Sequence, residues 1–98
     1  MVNDILTDSS AIRGGTIKSM ELKLNEDLIT NIWDEIQSKI YDSASHCLFQ
    51  TMINKDEIKN IIKDNEVTVN FVCDYIAESL IWLNYKVSVT EDVIIINW

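Results

Sequence analysis

The chain has 98 residues, 47% hydrophobic and 24% charged, which fits one domain built on a single core. Eight Lys and Arg against sixteen Asp and Glu give a formal charge of −8, which repels nucleic-acid backbones and anionic membrane surfaces and disfavours both as partners. Two cysteines, Cys47 and Cys73, make no disulfide framework and no CxxC, and with the single His46 they give no zinc spacing, so neither metal nor cofactor is expected and the compartment reads as reducing.

The acids are scattered, with no run of five or six, and read as a solvated surface rather than as one continuous face imitating DNA. The stretch "MVNDILTDSS" lacks a basic segment followed by an apolar one. With apolar runs of only four or five residues, neither a signal peptide nor a membrane span is expected.

Residues 1–19 show no sustained period and hold both glycines side by side, Gly14 and Gly15. They read as an extended N-terminal arm with a flexible point, leaving residues 20–98 as the folded domain. Val2, Ile5, Leu6, Ile12 and Ile17 are too apolar for a tail in water, so the arm is expected to dock on a partner subunit or on its own domain. Met20, Leu22 and Leu24 alternate with Glu21 and Lys23 as a short extended lead-in.

Asn25 can cap a helix whose first turn carries Glu26 and Asp27 at the positive end of its dipole. Leu28, Ile32, Ile36 and Ile40 at steps of four, with Ile29 and Trp33 beside them, predict that helix over 26–43. "HCLFQTM", from His46 to Met52, reads as a first strand with Cys47 inside it. Asn54 followed by Glu57 resembles a capping box opening a short helix with Ile58, Ile61 and Ile62, which "KDNE" ends.

A further helix is expected over 67–83, with Val69, Val72, Cys73, Ile76, Leu80 and Leu83 at steps of three and four. Phe71, Tyr75 and Trp82 recur on another face. They mark either an interface with a second copy or the rim of one wide core. Asn84 stands where a helix commonly ends in a left-handed residue. Tyr85, Val87 and Val89 alternate as a strand, Glu91 and Asp92 turn the chain, and "VIIINW" returns as the final strand. Ile94, Ile96 and Trp98 fall on one face of it and Val93 and Ile95 on the other. Apolar on both faces, it should be covered by helices, further strands or a second subunit. Trp98 is expected to lock it against the first helix. The order predicts an α+β fold, a small antiparallel sheet of about three strands packed with two to three helices.

Leu80, Tyr85, Val87, Ile94, Ile96 and Trp98, together with Cys47, form a pattern that resembles a broad group of small tailed-bacteriophage proteins, mostly of unknown function. In these a helix ending in Gly-Tyr-x-Val leads to a hairpin closing in Ile-x-Trp. The likeness covers residues 25–98, with Asn84 in place of the usual glycine. It implies a phage origin, and with it one of two roles. One is an accessory protein of the host cytoplasm that counters host defence, in some cases as an oligomeric sponge holding nucleotide messengers. The alternative is a minor virion protein whose arm threads into neighbouring subunits.

For chemistry, His46 and Cys47 point to opposite faces if they share a strand, a poor dyad, and Cys73 reads as a small buried hydrophobe. No phosphate-binding loop motif is present, and a non-enzymatic protein is expected. Arg13, the sole arginine, precedes Gly14, Gly15 and Thr16, with Lys18 close behind. Main-chain N–H groups beside a guanidinium suit a phosphate or carboxylate. These five residues are the candidate site for a small anionic nucleotide, the alternative being a hinge with incidental charges. Trp33, Tyr75 and Trp82 offer faces for a base, though such residues at helical spacing ordinarily serve core or interface. The reading is a homo-oligomer that binds a nucleotide signal or a host protein.

Overall fold

The computed structural model describes residues 9–63 and 67–98, and side chains from residue 12 onward. Val2, Ile5 and Leu6 of the expected arm, and most of "KDNE", lie outside the described residues. The elements run α1 (Ser9–Glu21), α2 (Glu26–Ser45), β1 (Gln50–Asn54), α3 (Lys55–Ile62), α4 (Val69–Trp82), β2 (Lys86–Val89) and β3 (Val93–Asn97). The fold is α+β, with four helices among the described residues and a three-stranded antiparallel sheet of order β1-β3-β2. No helix among the described residues is long and apolar enough to cross a membrane.

The last strand in sequence is thus the middle strand in space. Thr51 faces Ile96 and Ile53 faces Ile94 on one side, and Val87 and Val89 take the same partners on the other. Ile53, Ile94 and Ile96 point under the helices and are buried. They meet Leu28, Ile32 and Ile36 of α2, Ile58 and Ile62 of α3, and Val72, Cys73, Ile76 and Leu80 of α4 in one core. On the opposite face Val93 and Ile95 are half-buried and Met52 is exposed, so only the Ile94 face is fully covered within one chain.

Three caps are where the sequence places them. Asn25 Oδ1 accepts the Leu28 N–H at 2.7 Å. Asn54 and Glu57 form the capping box, Glu57 Oε2 accepting the Asn54 N–H at 3.0 Å. The Lys39 ammonium at 2.9 Å holds Glu57 below the usual carboxylate range, against the opposing effect of burial. Asn84 takes φ 73° and ends α4 in a Schellman motif, with the Tyr85 N–H donating to Leu80 O at 2.9 Å.

Three expectations are corrected. The strand expected over His46–Met52 begins at Gln50, because α2 runs on to Ser45 and its own Schellman motif consumes the next residues. There Cys47 takes φ 60° and the Leu48 N–H donates to Ser43 O at 3.0 Å. Trp98 extends the ladder through its N–H to Phe49 O, but the residue stays 37% exposed, short of the burial expected of a lock. The third correction concerns the arm and its lead-in: from Ser9 to Glu21 the chain is helical rather than extended, and a turn follows it at 22–24. Two adjacent glycines and several hydroxyl residues disfavour that helix, so its stability comes from packing. Ile17 enters the core, Met20 packs at its edge, and α1 lies along α4. The chain covers its own helix with the segment that reads as a reaching arm.

Candidate functional site

Where α1 crosses α4, a pocket of about 520 Å³ opens between them, walled by Trp33, Tyr75 and Trp82 and roofed by Gly14 and Gly15. The glycines shape it in different ways. A Cβ on Gly14 would stand 3.5 Å from the Trp82 ring, whereas one on Gly15 would meet nothing within 4 Å. The helix therefore presents bare backbone to open space at Gly15.

The pocket floor is polar in an apolar setting. Trp33 Nε1–H donates to Tyr75 Oη at 2.9 Å, and Tyr75 Oη–H donates to Glu21 Oε2 at 2.6 Å. The Trp33 and Tyr75 rings meet edge to face, 5.7 Å between centroids. Burial, and then the Glu21 carboxylate that accepts its hydrogen bond, push the Tyr75 phenol up to about 12. One turn further along α4, Ser79 is 6% exposed. Its hydroxyl lies near the Tyr75 oxygen yet completes no hydrogen bond. Lys18 stands at the mouth, exposed.

The five residues expected to bind an anion are only partly brought together. Gly14, Gly15 and Lys18 line the pocket. Arg13 turns aside, its Nε 2.9 Å from Glu78 Oε2, and the Thr16 hydroxyl donates back to Ile12 O at 3.1 Å. Because this stretch is helical, its N–H groups serve the helix and form no anion-binding loop.

Of the residues expected at an interface, Tyr75 is fully buried, Phe71 half-buried and Trp82 half-exposed. The second neighbour that α4 requires is α1 of the same chain. His46 and Cys47 form no dyad. Both are exposed at the end of α2, where His46 Nδ1–H donates to Asp42 O at 2.7 Å. Cys73 is buried, and burial raises its thiol. Among the described residues no three His, Cys, Asp or Glu side chains gather as a metal site would require.

Glu21 and Ser79 are the pocket residues that sequence reasoning did not single out. Tyr75 and Trp82 were visible through their spacing, but nothing in the sequence pairs them with Glu21, 54 positions earlier than Tyr75. Comparison with protein-family models, with curated proteins and with solved structures finds no match to this chain.

Proposed function

We propose that this protein captures a nucleotide-type ligand without turning it over, using the pocket between α1 and α4, in the manner of a phage accessory protein that sequesters a host signal. The observation that carries the reading is the aromatic pocket of about 520 Å³ between α1 and α4, with the Ser79 hydroxyl in its wall, near the Tyr75 oxygen but outside good hydrogen-bond geometry. A buried polar group lacking a partner costs about 1–3 kcal/mol, a penalty that a ligand supplying the partner would relieve.

The other walls suit the same ligand class. Trp33 and Trp82 offer faces on which a base can stack, worth about 1–3 kcal/mol per base. The Glu21 carboxylate accepts from Tyr75 through Oε2, which leaves its other oxygen to accept from a ring N–H or an exocyclic amine. Lys18 at the mouth supplies the positive charge that a phosphate needs in a protein of charge −8. Resemblance to the small tailed-phage proteins is compatible with capture and with a virion role alike. The virion reading depended on an arm reaching a neighbour, and from Ser9 onward that segment lies on its own α4.

The test is a titration with adenosine and guanosine monophosphates and their cyclic forms, followed by tryptophan fluorescence and by analysis of the recovered nucleotide. A saturable change for at least one of them is expected, with the nucleotide returned intact. Gly15→Leu fills the open space at Gly15 and should weaken binding at least about tenfold, a loss of about 1.4 kcal/mol. Ser79→Ala should weaken binding while leaving the fold as stable or more so. Absence of binding to all of these nucleotides, or full affinity in Gly15→Leu, would overturn the reading.

A further inference from the structure

We propose that the outer edge of β1 is where two copies of this chain meet, joining their three-stranded sheets into one continuous antiparallel sheet about a two-fold axis at Thr51. This inference is independent of the ligand reading. It also moves the expected contact between copies away from Phe71, Tyr75 and Trp82.

The main chain defines the edge. The Trp98 N–H donates to Phe49 O and the Lys55 N–H to Asp92 O, so by alternation Phe49, Thr51, Ile53 and Lys55 turn their N–H and C=O groups toward β3. Gln50 and Met52 turn theirs outward, and among the described residues no partner takes them. On either side the outward N–H groups are already committed, that of Leu48 to Ser43 O and that of Asn54 to Glu57 Oε2. An antiparallel copy centred on Thr51 sets Gln50 opposite Met52 of the second copy and Met52 opposite its Gln50. That register uses every outward group of Gln50 and Met52 in four hydrogen bonds. Registers centred one residue to either side call on an N–H that is already taken.

Charge selects a second copy as the occupant of this edge. At −8, most of the surface repels another molecule of the same kind. Residues 47–54 contain no Asp, Glu, Lys or Arg, so a two-fold axis here sets no like charges against each other. Exposed apolar side chains gather at the same place, with Phe49 at 73%, Leu48 at 54% and Met52 at 53%. The opposite edge, β2, also turns main-chain groups outward, at Val87 and Val89, but carries the exposed Lys86, the kind of charge that discourages edge pairing. β1 has no charge, proline or bulge to protect it.

Four hydrogen bonds and three apolar side chains per copy make a small interface, near the lower limit of about 1,000 Å² for a stable one, so a dissociation constant of about micromolar order is expected. Sedimentation equilibrium from about 1 to about 100 µM brackets that value and should show monomer and dimer exchanging. Met52→Lys, at an exposed side chain, should raise the dissociation constant at least about tenfold with the circular dichroism and melting temperature of the monomer unchanged. Gln50→Pro removes an outward N–H without touching the bonds to β3 and should do the same. If Gln50→Pro fails to fold, Met52→Lys alone decides. Val89→Lys on the β2 edge should leave the dimer intact. A monomer at every concentration would overturn the proposal, as would a dimer indifferent to Met52→Lys. So would open-ended growth abolished by Val89→Lys, which would mean β1 pairing with β2 of the next copy.

Discussion

Tyr75 ties three helices together through one oxygen. It accepts from Trp33 on α2, donates to Glu21 on α1, and is itself carried by α4. Removing its oxygen in Tyr75→Phe leaves the indole N–H unpartnered in the pocket wall, and a loss of about 1–2 kcal/mol in chemical denaturation is expected. The same variant has a pH signature. The phenol titrates at about 12 when folded and at about 10 in an unfolded chain. As pH rises from about 10 to about 12 the unfolded chain gives up this proton while the folded protein keeps it, so stability falls across that window. The fall should be shallower in Tyr75→Phe, and identical slopes in the two proteins would refute the assignment. From sequence, the three-and-four spacing reveals that Tyr75 lies on a second apolar face of its helix, but spacing carries no information about what covers that face. A face awaiting a foreign subunit and a face awaiting the chain's own first helix look alike until α1 is placed.

At the scale of elements, what was legible depended on whether a segment carries its own structural signal. α2, α3 and α4 have caps and stripes strong enough to read directly, and Asn25, Asn54 and Asn84 all act as expected. α1 has neither property, since Gly14, Gly15, Thr16 and Ser19 all disfavour a helix and, among its described side chains, only Ile17 and Met20 face the core. It is a helix imposed from outside. Replacing both glycines by alanine should therefore stabilise the protein by about 1–2 kcal/mol in total, measured by denaturation. Neither substitution meets a steric obstacle, since the nearest atom to a Cβ on Gly14 lies at 3.5 Å and none lies within 4 Å at Gly15. A neutral or destabilising result would mean that α1 is held away from ideal helical geometry. β1 was displaced in the reading for a related reason. Strand-forming residues such as Leu48 and Phe49 attract a strand assignment, but the left-handed turn at Cys47, a residue rarely chosen for it, delays the strand to Gln50.

Over the whole molecule, the α+β class and the three-stranded antiparallel sheet were legible because each follows from short-range patterns added in order. The strand order was less so. That the last strand lies between the other two depends on contacts between residues more than 40 positions apart, such as Ile53 with Ile94, which no local pattern records. The pocket was legible only in its aromatic walls, for it exists between two segments that the sequence describes separately. The middle position of β3 explains why the chain closes on so apolar a strand: Ile94 and Ile96 serve both neighbours and the helices above them at once. It also leaves two outer strands, one of them without protection. A last consequence lies in Asn54, which ends β1 and caps α3 with no residue between them. Strand and helix are joined without slack, so the chain has no tolerance for a change of length there. One residue inserted after Asn54 would have to separate the cap from its helix or turn Ile53 out of the core. Such an insertion is expected to abolish cooperative melting, whereas one inserted at the exposed turn around Glu91 should leave a folded protein.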